Sequence, residues 1–155
     1  MTSLCCDVLK ALEGKSLVTA ESCTGGGIGA ALTAIPGSSA VYRGGVICYT
    51  NWVKEKILSV DPALLDSYGA VSLPVAEAMA VGVRKLLQAD VAVSVTGLAG
   101  PGGDDYGHSV GTVCIGCATG NNIVVREYHF TGGREAVRQA AIRAALEMIL
   151  EIDQE

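Results

Sequence analysis

Apolar and polar positions alternate with a period that changes along the chain, and each change marks an element. Met1–Gly14 carries helical spacing and predicts a short amphipathic helix closed by Gly14. Ser16–Glu21 is a brief β-prone run, followed by Ser22-Cys23-Thr24-Gly25-Gly26-Gly27 and a small-residue helix to Ile35. Pro36-Gly37-Ser38-Ser39 then turns the chain. Gly44–Thr50 predicts a buried strand, Asn51 the N-cap of a helix reaching about Val60, and Asp61-Pro62 a further helical turn. Leu73–Gln88 has the clearest helical stripe, Val75, Met79, Val83, Leu86 and Leu87, with Glu77, Arg84, Lys85 and Gln88 opposite. Val91–Thr96 predicts a buried strand that runs into the glycine-rich loop Gly97–Gly103. Val110–Ala118 and Ile123–Phe130 predict a hairpin across Gly120-Asn121-Asn122. Thr131-Gly132-Gly133 leads into a last helix with Val137, Ala141, Ala144, Met148 and Ile152 inward. The expected fold is a layered α/β/α domain over residues 1–155, its mixed sheet containing one β-hairpin.

Composition narrows the class. Half of the 155 residues are hydrophobic and 17% are charged, so folding has enough to bury and disorder is excluded. Eleven Lys plus Arg against sixteen Asp plus Glu leave a net charge of −5, which argues against a nucleic-acid partner held by clustered cations. Ser22–Tyr42 and Gly107–Val125 carry no formal charge, yet Gly, Pro, Ser or Asn interrupts both, so no membrane partner is expected. Met1–Leu17 lacks the basic start and continuous apolar core of a signal peptide. Six cysteines are too sparse for a secreted disulfide scaffold. Cys114-x-x-Cys117 has a metal-like spacing, but in a strand its two thiols face opposite ways. Buried thiols in a cytoplasmic protein are the expectation. His108 and His129 are few and scattered, and no carboxylate-rich constellation accompanies them, so neither a metal nor a cofactor is expected.

Three corners could carry chemistry, each a strand end, a turn and a helix start, where exposed N–H groups favour anions. At Glu21-Ser22-Cys23-Thr24-Gly25-Gly26-Gly27 a hydroxyl can reach outward while glycine amides approach a ligand; the alternative reading is that Ser22 and Thr24 merely cap the helix. Gly25-x-Gly27-x-x-Ala30 resembles a dinucleotide fingerprint but lacks the acid that should end the next strand. At Tyr49-Thr50-Asn51-Trp52-Val53-Lys54 the lysine falls in a first helical turn, where it is either a solvated surface cation or an amine kept neutral to act as a base. At Gly132-Gly133-Arg134-Glu135-Ala136-Val137-Arg138 two arginines four apart share a face and either bind an anion or pair with nearby acids. Thr96 and Gly97 end a strand at the glycine loop and offer a further hydroxyl and backbone donors. Hydroxyls, a lysine and an arginine-lined basin suit metal-free acyl transfer on a small anionic substrate.

At these residues the sequence resembles the CinA carboxy-terminal domain family, whose characterised members are nicotinamide-nucleotide amidases. The matching segments are Ala20–Gly26, Pro36–Ser39, Tyr49-Thr50-Asn51-x-x-Lys54, Thr96–Gly103, Val110–Val113 and Gly133-Arg134, in order over essentially the whole chain. The resemblance implies hydrolysis of the carboxamide of nicotinamide mononucleotide, giving nicotinic acid mononucleotide and ammonia. It implies Ser22 as nucleophile, Lys54 as its activator, and Tyr49 and Thr96 as further catalytic positions. Thr24, Gly25, Gly26, Ser39, Asn51 and Gly97 are then expected at the substrate, with the Gly25–Gly27 amides on the oxyanion and Arg134 and Arg138 on the 5′-phosphate. A small pyridine nucleotide is the expected ligand and a homodimer the expected assembly. Asp104–Ser109 departs from the family's longer loop, with His108 in place of a lysine, and Gly132-Gly133 stands where Gly-Asp is usual. Two other readings stand beside this one: a competence- or DNA-damage-associated interaction protein without amidase activity, and a nucleotide-binding module using Gly25–Gly29 alone.

Overall fold

The computed structural model describes residues 1–153. Its middle layer is a five-stranded sheet of β1 (Leu17–Glu21), β2 (Tyr42–Ile47), β3 (Val91–Gly97), β4 (Thr112–Ala118) and β5 (Ile123–His129). The spatial order is β2-β1-β3-β4-β5. β1 is parallel to both β2 and β3, whereas β4 is antiparallel to β3 and to β5, so the sheet is mixed and contains the expected hairpin.

Alternation along the central strands divides the core. Val91, Val93 and Val95 join Val8, Leu12, Ile28, Leu32, Leu146 and Ile149 beneath α1 (Thr2–Ala11), α2 (Gly27–Thr33) and α6 (Arg134–Asp153). Ala92 faces the other way, toward Leu58, Leu65, Met79 and Val83 on the side of α3 (Asn51–Lys56), α4 (Pro62–Tyr68) and α5 (Leu73–Leu86). The period-two pattern of a strand covered on both faces accounts for the three layers. Cys114 and Cys117 fall in different clusters, on opposite faces as their spacing requires.

Several boundaries differ from the expected ones. The strand expected as buried over Gly44–Thr50 is instead Tyr42–Ile47, an edge strand with every second residue exposed. A short apolar run does not reveal whether it pairs on one side or two. Thr50, not Asn51, is the N-cap of α3, and no side chain caps it, so Lys54 is the fourth helical residue rather than the third. The helix stops at Lys56 rather than near Val60, and Ser59 follows with φ of +59°. Asp61 does cap α4, accepting from the Ala63 N–H at 2.9 Å. Leu86, assigned to the buried stripe of α5, is half exposed where that helix ends. No helix of the described residues is long and apolar enough to cross a membrane.

Candidate active site

β1, β2 and β3 run parallel, so their carboxyl ends open on one rim of the sheet. Ser22 leaves the end of β1, Cys48 and Tyr49 leave β2, and Thr96 and Gly97 close β3. Parallel pairing, with Glu21 opposite both Ile47 and Val95, brings these three chain ends together. The Ser22 N–H donates to the Val95 carbonyl at 2.9 Å, and this bond pins the corner against β3.

α3 then turns Lys54 back beneath that rim. Its side chain is only 1% exposed, and Nζ lies 3.1 Å from Ser22 Oγ while donating to the Cys48 carbonyl at 2.8 Å. Both partners are uncharged, so nothing there repays the cost of an ammonium withdrawn from water. Burial pushes the amine below its ordinary value of 10.5. Once deprotonated, Nζ can keep its donation to the Cys48 carbonyl and turn its lone pair to the Ser22 hydroxyl, the arrangement a general base requires. The neighbouring thiol is held in the opposite sense: burial pushes Cys23 up to about 11.

A cavity of about 290 Å³ opens over this pair. Ser22, Cys23, Tyr49, Lys54, Thr96, Gly97 and Arg134 line it, together with Ala70, Val71, Leu98, Ala99, Gly100 and Gly102. Arg134 at its rim donates to the Gly100 carbonyl at 2.7 Å and to the Tyr49 hydroxyl at 3.2 Å. These bonds use two of its five N–H donors. Thr96 is buried and donates to the Ala70 carbonyl at 2.9 Å, tying the segment between α4 and α5 to the cavity floor. A larger hollow of about 370 Å³ lies at the opposite end of the sheet, but its cations are already engaged: Lys15 pairs with Asp153 at 2.9 Å, and Arg84 donates to the Asp90 carbonyl. Among the described residues no cluster of three or more His, Cys, Asp or Glu side chains is placed to hold a metal.

Other residues singled out from the sequence lie elsewhere. The Gly25 N–H donates to the Ser22 carbonyl at 3.1 Å and the Gly27 N–H to the Thr24 carbonyl at 2.9 Å, so neither amide is left for a ligand. Gly26, with φ of +98°, faces Ile47 on the far side of the corner. Thr24 is buried beneath the turn. Asn51 lines an adjoining hollow with Asp104 and Asp105, which shares Ala70, Val71 and Leu98 with the main cavity. Ser39 precedes β2 and therefore stands at the opposite end of the strands from Ser22. Arg138 does not line the cavity: Nε and Nη2 donate to the Cys23 and Thr24 carbonyls at 3.0 and 3.2 Å, and Nη1 pairs with Glu135. His108 is turned onto Asp104, 2.7 Å away, and closes its own loop rather than reaching the cavity.

Sequence reasoning passed over Glu21. Its carboxylate is 2% exposed and accepts from the Thr24 hydroxyl at 2.7 Å and from the Ile28 and Gly29 N–H groups at 2.8 and 3.0 Å. The first turn of α2 is thus occupied by a carboxylate of the protein itself, and the turn offers no ready cradle for a phosphate. The signal was an acid at the end of a strand otherwise built for burial. Glu21→Gln puts an amide N–H against these donors, and the expected loss in urea unfolding is about 1–3 kcal/mol.

Comparison with known proteins bears on this geometry. The family model described as CinA C-terminal domain matches residues 2–152. A CinA-like protein of Synechococcus sp. (strain CC9902) is 49% identical over 138 residues, 88% of this chain and 33% of that protein. One from Mycolicibacterium paratuberculosis is 43% identical over 147 residues, 92% and 34% of the two. The chain therefore spans about a third of the length of these curated relatives. A competence-damaged protein (CinA) superfamily structure from Klebsiella pneumoniae 700603 superposes with a TM-score of 0.96 at 35% identity, covering 99% of this chain and 97% of the other. The competence/damage inducible protein CihA from Agrobacterium tumefaciens gives 0.95 at 40% identity, over 98% and 94%.

Proposed function

The chain belongs to the CinA C-terminal domain family, and from that membership and the Ser22–Lys54 contact we propose that it is an amidase cleaving the carboxamide of nicotinamide mononucleotide. The substrate is the one the family resemblance implies. The observation that carries the chemistry is the 3.1 Å approach of a buried amine, its pKa lowered by desolvation, to a serine hydroxyl at the floor of a cavity.

In this mechanism Ser22 Oγ attacks the carboxamide carbon while its proton passes to Lys54 Nζ. The resulting ammonium returns that proton to the amide nitrogen, the C–N bond breaks, and ammonia leaves a nicotinoyl ester on Ser22. Water then attacks the ester, Lys54 again accepting a proton, and the acid departs as Ser22 is restored. The amides expected for the oxyanion are reassigned. Gly25 and Gly27 are engaged within the turn and Thr24 is buried beneath it, whereas Cys23 lines the cavity beside Ser22, so this role falls to the Cys23 N–H. Tyr49, exposed at the cavity wall, offers its ring to the pyridinium, and Arg134 offers its remaining donors to the phosphate. A homodimer belongs to the same reading, with exposed Ile47 and Trp52 beside the edge strand as its apolar face.

Purified protein incubated with nicotinamide mononucleotide is expected to release ammonia and nicotinic acid mononucleotide in equal amounts, with turnover unchanged by EDTA. Ammonia release that depends on added metal, or no release at all, would overturn the assignment.

A further inference from the structure

Arg138 sits four residues from Arg134 on α6, yet it addresses the protein rather than the cavity. One edge of its guanidinium spans the carbonyls of Cys23 and Thr24, the two residues that follow Ser22. Glu135, one turn earlier, holds the third nitrogen at 2.8 Å. On the other side of the same turn, the Glu21 carboxylate grips the Thr24 hydroxyl and the first amides of α2. The segment carrying Ser22 is therefore clamped between a buried anion and a fork of N–H donors.

We propose that Arg138 is a positioning residue for the Ser22 corner and not a phosphate ligand; this rests on the amidase reading above. The physical reason is the planarity of the peptide unit. Within a trans unit the C=O of one residue and the N–H of the next point in opposite directions. Holding the Cys23 carbonyl on Arg138 therefore turns the Thr24 N–H away from the guanidinium. Holding the Thr24 carbonyl fixes the Gly25 N–H, which closes the turn onto the Ser22 carbonyl. One side chain thus fixes two adjacent peptide planes of the turn and, with them, the backbone from which Ser22 Oγ projects. A lysine at this position keeps the charge but lacks the planar fork that matches two adjacent carbonyls.

Two substrates separate positioning from phosphate binding: nicotinamide mononucleotide and nicotinamide riboside, which lacks the phosphate. Arg138→Gln and Arg138→Lys are both expected to lower kcat by about 10- to 100-fold on either substrate, as a small displacement of reacting groups does, with KM little changed. Arg134→Gln is expected to raise KM for the nucleotide alone. A defect of the Arg138 variants confined to the nucleotide and expressed in KM would make Arg138 a phosphate ligand and overturn the proposal. Unfolding midpoints are read alongside, and Arg138→Lys, which retains stem and charge, carries the test if Arg138→Gln unfolds. Diisopropyl fluorophosphate supplies a readout that needs no amide substrate: Ser22 Oγ attacks phosphorus, fluoride leaves, and the adduct is located by mass spectrometry. Labelling of Ser22 in the wild type that slows in both folded Arg138 variants supports positioning. Equal labelling rates overturn it while leaving the nucleophile intact. A wild type unlabelled at Ser22 overturns the nucleophile assignment and this proposal with it.

Discussion

Ser22→Ala is expected to lower ammonia release by about 10³-fold or more, because without its nucleophile the cavity retains only binding and oxyanion stabilisation. Cys23→Ala, altered at the next residue, is expected to keep most of the activity. The contrast matters because both side chains line the cavity, and a thiol is ordinarily the better nucleophile. Here burial raises the Cys23 thiol to about 11, so only about one molecule in 10⁴ carries the thiolate at pH 7. Ser22 faces the amine that can take its proton. Steady-state assays of the two variants decide the matter, and an active Ser22→Ala protein beside an inactive Cys23→Ala protein would transfer the role to the thiol.

Lys54→Met is expected to cost about 10²–10⁴-fold in kcat/KM, the usual worth of a positioned base. Wild-type kcat/KM should climb with pH as the amine loses its proton, with a midpoint below 10.5, and Lys54→Met should lose that limb. The riboside is the better substrate for this profile, since a phosphate monoester titrates near pH 6 on its own account. The same shift enters stability with a definite sign. Below the folded-state pKa the amine is protonated in both states, and the full penalty for burying the ammonium falls on the native protein. Between that pKa and 10.5 the unfolded chain binds more protons than the native one, so stability rises with pH. Above 10.5 the penalty has vanished. The difference in unfolding free energy between wild type and Lys54→Met should therefore increase with pH across that window. A flat difference would mean that Lys54 titrates in the folded protein as it does in water.

Most of the scaffold was legible in the chain because periodicity reports burial directly. The stripe of Val75, Met79 and Val83 and the inward set Val137, Ala141, Ala144, Met148 and Ile152 predicted the helices that cover the two faces, and all of them are buried. The hairpin and the mixed sheet followed from two alternating runs joined by a turn. The edge position of β2 did not follow, since pairing on one side or two is a property of the whole sheet.

The candidate site divides in the same way. Sequence by itself determined the fold class, the family, and the residue types at each strand end: a hydroxyl at 22, a lysine at 54, a tyrosine at 49 and an arginine at 134. Those are local facts of pattern and spacing. Only the tertiary structure decided that the lysine is buried against the serine while Arg138 is turned onto carbonyls, although the chain shows two arginines on one helical face. It also decided that the glycine amides and the first turn of α2 answer to Ser22, Thr24 and Glu21 rather than to a ligand. The physical reason is that desolvation and hydrogen-bond satisfaction depend on which atoms surround a group in space, and those atoms come from segments up to 115 residues away along the chain.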